Sequence, residues 1–454
     1  MRQLAGTKTW YRRAHATPLA GLFSGRAEHT LQKYLKKRRL EPCRSQEQRE
    51  STFMAEKFPY PTVVDILSEL VALPSVNPMG GEADPSICFE GRVSDWLEDF
   101  FRTIGAMYER LEVCPGRDNV IARYNSPGAD FTILLDAHQD TVPVAGMTIA
   151  PFEPKISDGR LWGRGASDVK GGMAAMLFAF RRLVQDKPAG AANVVLSCTC
   201  DEEATIIGIT DLVSYWSPAA ERSNLLRKKP DVAVIAEPTG LDVVVAHRGV
   251  TRFKIRTKGR ACHSSDPTQG INAIYRMAKL VSALQEYSEN LALTVKAHPL
   301  CGSATLSVGK INGGTSVNIV PDECVIEVDR RVTPGEDGGR VVADIREFLA
   351  SRLSFDFEFD PPWIECGALT DANNAALAMA VLACVTAIDG PHAVVGVPYG
   401  THASQTCAAG VPSVVFGPGS IQQAHTKDEF IDIAQLEKAA EVYFQLCTRS
   451  GRTL

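Results

Sequence analysis

Apolar positions recur along the chain at two distinct spacings. After Tyr60-Pro61-Thr62, the apolar residues of Val63–Val71 fall on one helical face, which predicts a helix capped by Thr62. Arg92–Gly105 reads as an amphipathic helix, and Gly171–Val184 as a helix opening on two glycines. Short apolar runs at Phe131–Leu135, Val194–Cys200 and Val232–Ala236 have strand length. Strands alternating with helices predict an α/β sheet with crossover connections. Between 248 and 361 the texture changes. Thr251–Thr257 alternates like a strand with one wet face, Ile271–Tyr287 is helical, Ala304–Ile311 and Glu323–Val332 are strands, and Val341–Leu353 is helical. That β-α-β-β-α-β order predicts a small ferredoxin-like α+β unit. From 362 the α/β texture returns. The expectation is a catalytic domain over 54–247 and 362–454, interrupted by an inserted domain over 248–361.

The 454 residues are 45% hydrophobic and 22% charged, ordinary for a folded protein and unlike a fibrous or wholly disordered one. No run approaches the roughly 18 apolar residues of a membrane helix. The net charge of −5 hides an asymmetry: residues 1–53 carry 12 Lys+Arg against 4 Glu, and the remainder is acidic. We read 1–53 as a basic, disordered leader with Met54 opening the folded chain. The leader lacks the apolar core of a secretory signal. The acidic body disfavours nucleic acid as a partner. Twelve cysteines are scattered without a C-x-x-C pair, and several sit in apolar runs (Cys198, Cys324, Cys447). Buried, reduced thiols in a cytoplasmic protein fit this placement.

Five segments carry candidate chemistry, most of them just past a predicted strand, where open α/β sheets bind ligands. His138-Gln139-Asp140 follows the first run. Gly163-Arg164-Gly165-Ala166-Ser167-Asp168-Val169-Lys170-Gly171-Gly172 places Asp168 before a helix. It is neither of the glycine-rich phosphate loops, and Asp168 would repel phosphate, so a metal ligand or a helix N-cap suits it better. Asp201-Glu202-Glu203 follows the second run, either as a solvated loop or as carboxylates gathered by a cation. Glu237-Pro238-Thr239 ends the third, and His425 follows the turn Gly417-Pro418-Gly419-Ser420. Together they offer two histidines and several carboxylates, the set a two-metal hydrolytic site needs. Mixed N/O ligation suits Zn²⁺, with Co²⁺ or Mn²⁺ as substitutes, and Asp168 is the carboxylate to share.

This ordered set, H-x-D, G-R-G-x-x-D-x-K-G-G, D-E-E, E-P-T and a late A-H, resembles the M20 metallopeptidase family over residues 54–454. The branch most alike is that of acetylornithine deacetylases and succinyl-diaminopimelate desuccinylases. The resemblance implies a zinc-binding α/β domain with an inserted lid and dimerisation domain, and hence a homodimer. It implies that His138 and Glu237 hold one metal, Glu203 and His425 the other, and that Asp168 bridges them. Glu202 would be the general base and Asp140 would orient His138. The implied reaction is amide hydrolysis, releasing the acyl group of a small N-acyl amino acid, with Glu202 moving the proton from the attacking water to the leaving amine.

In Gly259-Arg260-Ala261-Cys262-His263-Ser264-Ser265, the resemblance gives His263 an oxyanion-stabilising role across the dimer. It gives Asn318 and Arg331 a grip on the substrate carboxylate. One departure is Tyr399-Gly400-Thr401-His402-Ala403-Ser404, where His402 replaces an acid. That puts preference for a cationic side chain in doubt. A dipeptidase or carboxypeptidase of the same family would share every ligand. A non-catalytic binding protein would need a broken ligand set, and none of these positions is broken.

Overall fold

The computed structural model describes residues 60–217 and 222–449, so the basic leader lies outside the described residues. The largest sheet has eight strands: β1 (Met107–Cys114), β2 (Arg117–Tyr124), β3 (Thr132–His138), β6 (Asn193–Thr199), β7 (Val232–Ile235), β8 (Val243–His247), β14 (Val394–Val397) and β15 (Ser413–Val415). Their order is β1-β2-β6-β3-β7-β15-β8-β14. β3 runs parallel to β6 and β7, and β15 parallel to β7, so four carboxyl ends open on the same edge. β6 and β7 are buried along their whole length, as strands covered on both faces must be.

Helices pack on this sheet because their apolar stripes have nowhere else to go. α1 (Val63–Ala72) buries Ile66, Leu67, Leu70 and Val71. Thr62 and Asp65 close its first turn as a reciprocal capping box. α2 (Gly91–Thr103) covers β1 and β2, and α3 (Lys170–Asp186) crosses between β3 and β6. The opening glycines of α3 are there for proximity. A side chain at Gly171 would meet the Ala166 carbonyl at 2.4 Å, and one at Gly172 would meet Ala236 Cβ at 2.7 Å. A short sheet of β4 (Lys155–Ser157), β5 (Arg160–Trp162) and β16 (Phe430–Asp432) flanks the same edge.

The changed texture corresponds to a separate sheet. β9 (Gly249–Lys258), β10 (Thr305–Gly313), β11 (Glu323–Val332) and β12 (Phe357–Phe359) lie in the order β10-β11-β9-β12, all antiparallel, and β13 (Ile364–Cys366) also pairs with β9. With α4 (Ala273–Thr294) and α5 (Val341–Arg352) covering one face, this is the ferredoxin-like pattern. β11 alternates buried and half-buried residues along its length. Cys324, Ile326 and Val328 point to the helices, and Glu327, Asp329 and Arg331 to the other face.

Candidate metal centre

The strand ends bring the scattered acidic and histidine segments together. His138 is the last residue of β3, Glu203 lies in the loop after β6, and Glu237 lies just after β7. His425 follows β15, and Asp168 sits in the turn before α3. His138, Asp168 and Glu237 form one triad and Asp168, Glu203 and His425 another; within each, the ligand atoms lie within 4.8 Å of one another. The shared aspartate uses both oxygens. His138 Nε2 is 3.2 Å from Asp168 Oδ1, and His425 Nε2 is 3.3 Å from Oδ2 and 3.2 Å from Glu203 Oε2. Asp168 does not act as the N-cap of α3. That position falls to Val169, without a side-chain bond.

The charges here are unbalanced without cations. Burial drives the Glu202, Glu203 and Glu237 carboxyls up, Glu203 to about 8, and the Asp168 charge adds to the rise. Burial acts on Asp168 too, but its hydrogen bonds with His138 and His425 hold it below the usual carboxylate range. His425 is pushed up to about 10 by its hydrogen bonds with Asp168 and Glu203. Burial would lower His138, yet Asp168 and the surrounding carboxylates keep it well above an ordinary imidazole. Carboxyls that resist ionisation beside imidazoles that retain protons are what two divalent cations would relieve. The buried Glu203 Oε1 has no hydrogen-bond partner, as a ligating oxygen would not. The residues fit a two-metal group.

Several residues that shape this centre carried no signal that we read in the sequence. Glu429 is fully buried; its carboxylate accepts from the backbone of Gly165, Ser167 and Asp168 at 2.8–3.0 Å and from Arg164 at 2.7 Å, fixing the turn that carries Asp168. Gly419, at φ +90°, lets the turn before His425 approach Ser167, whose Oγ would lie 2.3 Å from a Cβ. Arg117 pairs with Glu90 and Asp201, and Asn77 Nδ2 donates to Asp140 and Asp201 at 2.8 Å each. A glutamate four residues past the candidate ligand His425 was the one available cue, and Asp428-Glu429 had it.

Asp140 reaches His138 through its main chain. The atom 2.9 Å from His138 Nδ1 is its main-chain oxygen, while its carboxylate stands 3.7 Å away. The carboxylate accepts instead from the amides of Glu202 at 3.0 Å and Glu203 at 3.1 Å, holding the acidic loop in register. The three lid residues are elsewhere. His263 is in a turn and pairs with Ser265 Oγ at 2.8 Å, and Asn318 accepts from Ser316 Oγ at 2.6 Å. Arg331 pairs with Asp329 at 2.7 Å along β11. Among the described residues none of the three bonds to a ligand candidate. Arg331 does share the face of β11 whose Glu327 and Asp329 line a cleft of about 680 Å³ together with Glu203, Arg252, Lys254 and Trp363.

Clustered imidazoles and carboxylates with a spare glutamate are what hydrolysis by a metal-activated water asks of a protein, and the class is that of metal-dependent hydrolases. Comparison with known proteins sharpens this. Residues 134–449 match the model of peptidase family M20/M25/M40, and the chain belongs to that family. It is 32% identical over 422 residues to an acetylornithine deacetylase of Yersinia pseudotuberculosis, covering 86% of this chain and 98% of that one. One from Proteus mirabilis is 32% identical over 402 residues, with 85% and 96% covered. The fold is similar to an M20 family metallo-carboxypeptidase from Sulfolobus solfataricus (TM-score 0.70, 20% identity, 85% and 98% covered). It is also similar to a dinuclear metal-binding M20 peptidase from Bacillus subtilis (TM-score 0.59, 17% identity, 85% and 96% covered). No helix of the described residues is long and apolar enough to cross a membrane.

Proposed function

We propose that the chain removes the acyl group from a small N-acyl amino acid, acting most like an acetylornithine deacetylase. The observation that carries this is the pair of triads sharing Asp168, with Glu202 beside them. His138 and Glu237 hold one Zn²⁺, Glu203 and His425 the other, Asp168 serves both, and Co²⁺ is a substitute. The cations supply Lewis acidity for the acyl carbonyl and lower the pKa of water. Glu202, whose side chain makes no hydrogen bond among the described residues, takes the proton of the attacking water and hands it to the departing amine. Asp140 keeps Glu202 and Glu203 in place through their amides and turns His138 through its own carbonyl.

Residues 248–361 act as lid and dimerisation domain over a catalytic domain of 54–247 and 362–454. His263, Asn318 and Arg331 meet the substrate when the lid closes or a second copy docks. The surface around them supports a homodimer: Val317 is 98% exposed and Tyr275 70%, with Ile274 and Ile319 alongside. The eleven described cysteines are unpaired, in keeping with a cytoplasmic setting. A second reading, as a dipeptidase or carboxypeptidase, draws on the peptidase neighbours in fold. A succinyl-diaminopimelate desuccinylase would share the centre and differ in both the acyl group and the amine released.

The test is the zinc- and cobalt-loaded full chain against N-acetylornithine, N-succinyl-diaminopimelate, other N-acyl amino acids and dipeptides. Deacylation faster than dipeptide cleavage is expected. Faster dipeptide cleavage transfers the assignment to the peptidases, and no cleavage with no bound metal overturns both.

A further inference from the structure

Behind the metal centre, one buried amide joins three segments far apart in the chain. Residues 75–77 lie alongside 139–141: Thr141 N donates to the Ser75 carbonyl at 3.0 Å, and Asn77 N donates to the Thr141 carbonyl at 2.8 Å. This places the Asn77 side chain, in a residue 1% exposed, between two carboxylates. Its Nδ2 donates one hydrogen to Asp140 Oδ2 and the other to Asp201 Oδ1, at 2.8 Å each, and its Oδ1 accepts from the Met79 amide at 3.0 Å. Ionised carboxylates only accept and a backbone N–H only donates, so these partners leave the amide one orientation. Two of the three stand in left-handed backbone, Met79 at φ +53° and Asp201 at φ +62°. A residue with a side chain keeps such a conformation only where its surroundings hold it, and Asn77 holds both.

These bonds reach one half of the centre and not the other. Asp140 Oδ1 accepts from the Glu202 amide at 3.0 Å and Oδ2 from the Glu203 amide at 3.1 Å. Asn77 therefore grips the acidic loop twice, directly at Asp201 and through Asp140 at the next two residues. His138 depends on neither grip. Its Nδ1 meets the Asp140 main-chain oxygen, and that stretch is fixed by the backbone bonds to Ser75 and Asn77. Glu237 follows another strand, β7. We infer that Asn77 is a positioning residue for Glu202 and Glu203: its side chain sets the affinity of the Glu203–His425 metal site and the aim of the base, and leaves the His138–Glu237 site as it is. The same amide joins the loop to the cleft, since Met79 and Gly80 line it together with Glu203. The inference rests on the proposed two-metal hydrolysis.

Zinc and cobalt titrations of the full chain test it without turnover. Asn77→Ala is expected to bind one ion about 10- to 100-fold more weakly and the other as the parent does. In a His425→Ala chain, which keeps only the His138–Glu237 site, adding Asn77→Ala should leave the remaining affinity unchanged. Ser75→Ala removes a buried 2.7 Å bond from the same segment to the Gln139 carbonyl and should leave both affinities alone, which separates positioning from general loosening. With both sites saturated, Asn77→Ala should still lose about 10-fold in kcat at an unchanged KM, on whichever amide of the panel is cleaved fastest. Asn77→Ser carries the same comparison if the alanine chain does not fold. Both ions weakened alike, neither weakened, or a saturated kcat equal to the parent's overturns the proposal. A parent that binds two ions and cleaves no amide removes the hydrolase reading, and the titration still decides the asymmetry. A parent that binds no ion overturns both.

Discussion

The strand-end cluster and the tip of the second sheet carry residues assigned to one reaction, yet they are built in opposite ways. At the strand ends His138, Asp168 and Glu237 are buried, and every loop that carries a ligand is tied to another by hydrogen bonds. At the tip, His263 and Asn318 satisfy themselves with neighbours two residues away, and Val317 faces solvent almost entirely. The first region is complete within one chain. The second leaves large apolar side chains such as Val317 and Tyr275 exposed among the described residues.

The sharpest break of that contrast is Asp168→Asn, which should empty both metal sites together and leave no measurable activity; metal analysis retaining two ions would show that the centre is not shared. Glu202→Gln should keep its metals and lose about 10²- to 10⁴-fold in kcat. Mixing is the test of incompleteness. Glu202→Gln and His263→Ala chains, each nearly inactive, should regain about one working site in four on random re-pairing. Recovery without subunit exchange, or none with it, places His263 in its own chain's site. Val317→Glu should shift sedimentation toward the monomer and lower kcat to the His263→Ala level, with metal content unchanged.

The smallest effect belongs to His247, remote from the tip. Its Nδ1–H donates to the Arg248 carbonyl at 3.0 Å and its Nε2 accepts from Thr401 at 3.0 Å, which suits the neutral ring. Burial lowers its pKa from 6.5 to about 4. The unfolded chain therefore takes up the proton first as pH falls. The stability this group contributes is complete above pH 6.5 and declines toward pH 4 by up to about 3 kcal/mol. Denaturant midpoints should fall across that window more steeply in the parent than in His247→Gln; equal slopes would refute the assignment.

Much of the fold was legible because it follows from periodicity. The capped helix after Thr62, the buried β6 and β7 and the β-α-β-β-α-β order came from local spacing that tertiary contacts had no cause to override. The edge strands β1 and β14 were missed, and so were the interior strands β2 and β8. Met107–Cys114 is half-exposed on both faces and mixes charge with apolar residues, so no alternation marks it. The ligand candidates were legible for a related reason: each stands at a strand end or glycine turn, and residue type with local position sufficed.

By itself the sequence determined which side chains could hold metal and in what order they arrive, because ligand chemistry belongs to residue type. Only the tertiary structure decided their partners. That the Asp140 carboxylate serves two backbone amides, that Glu429 ties down the Asp168 turn, and that Asp136 locks His402 are facts about segments 60–270 residues apart. Hydrogen bonds are short and directional, so a pairing across that distance exists only once the sheet has set the strand ends side by side.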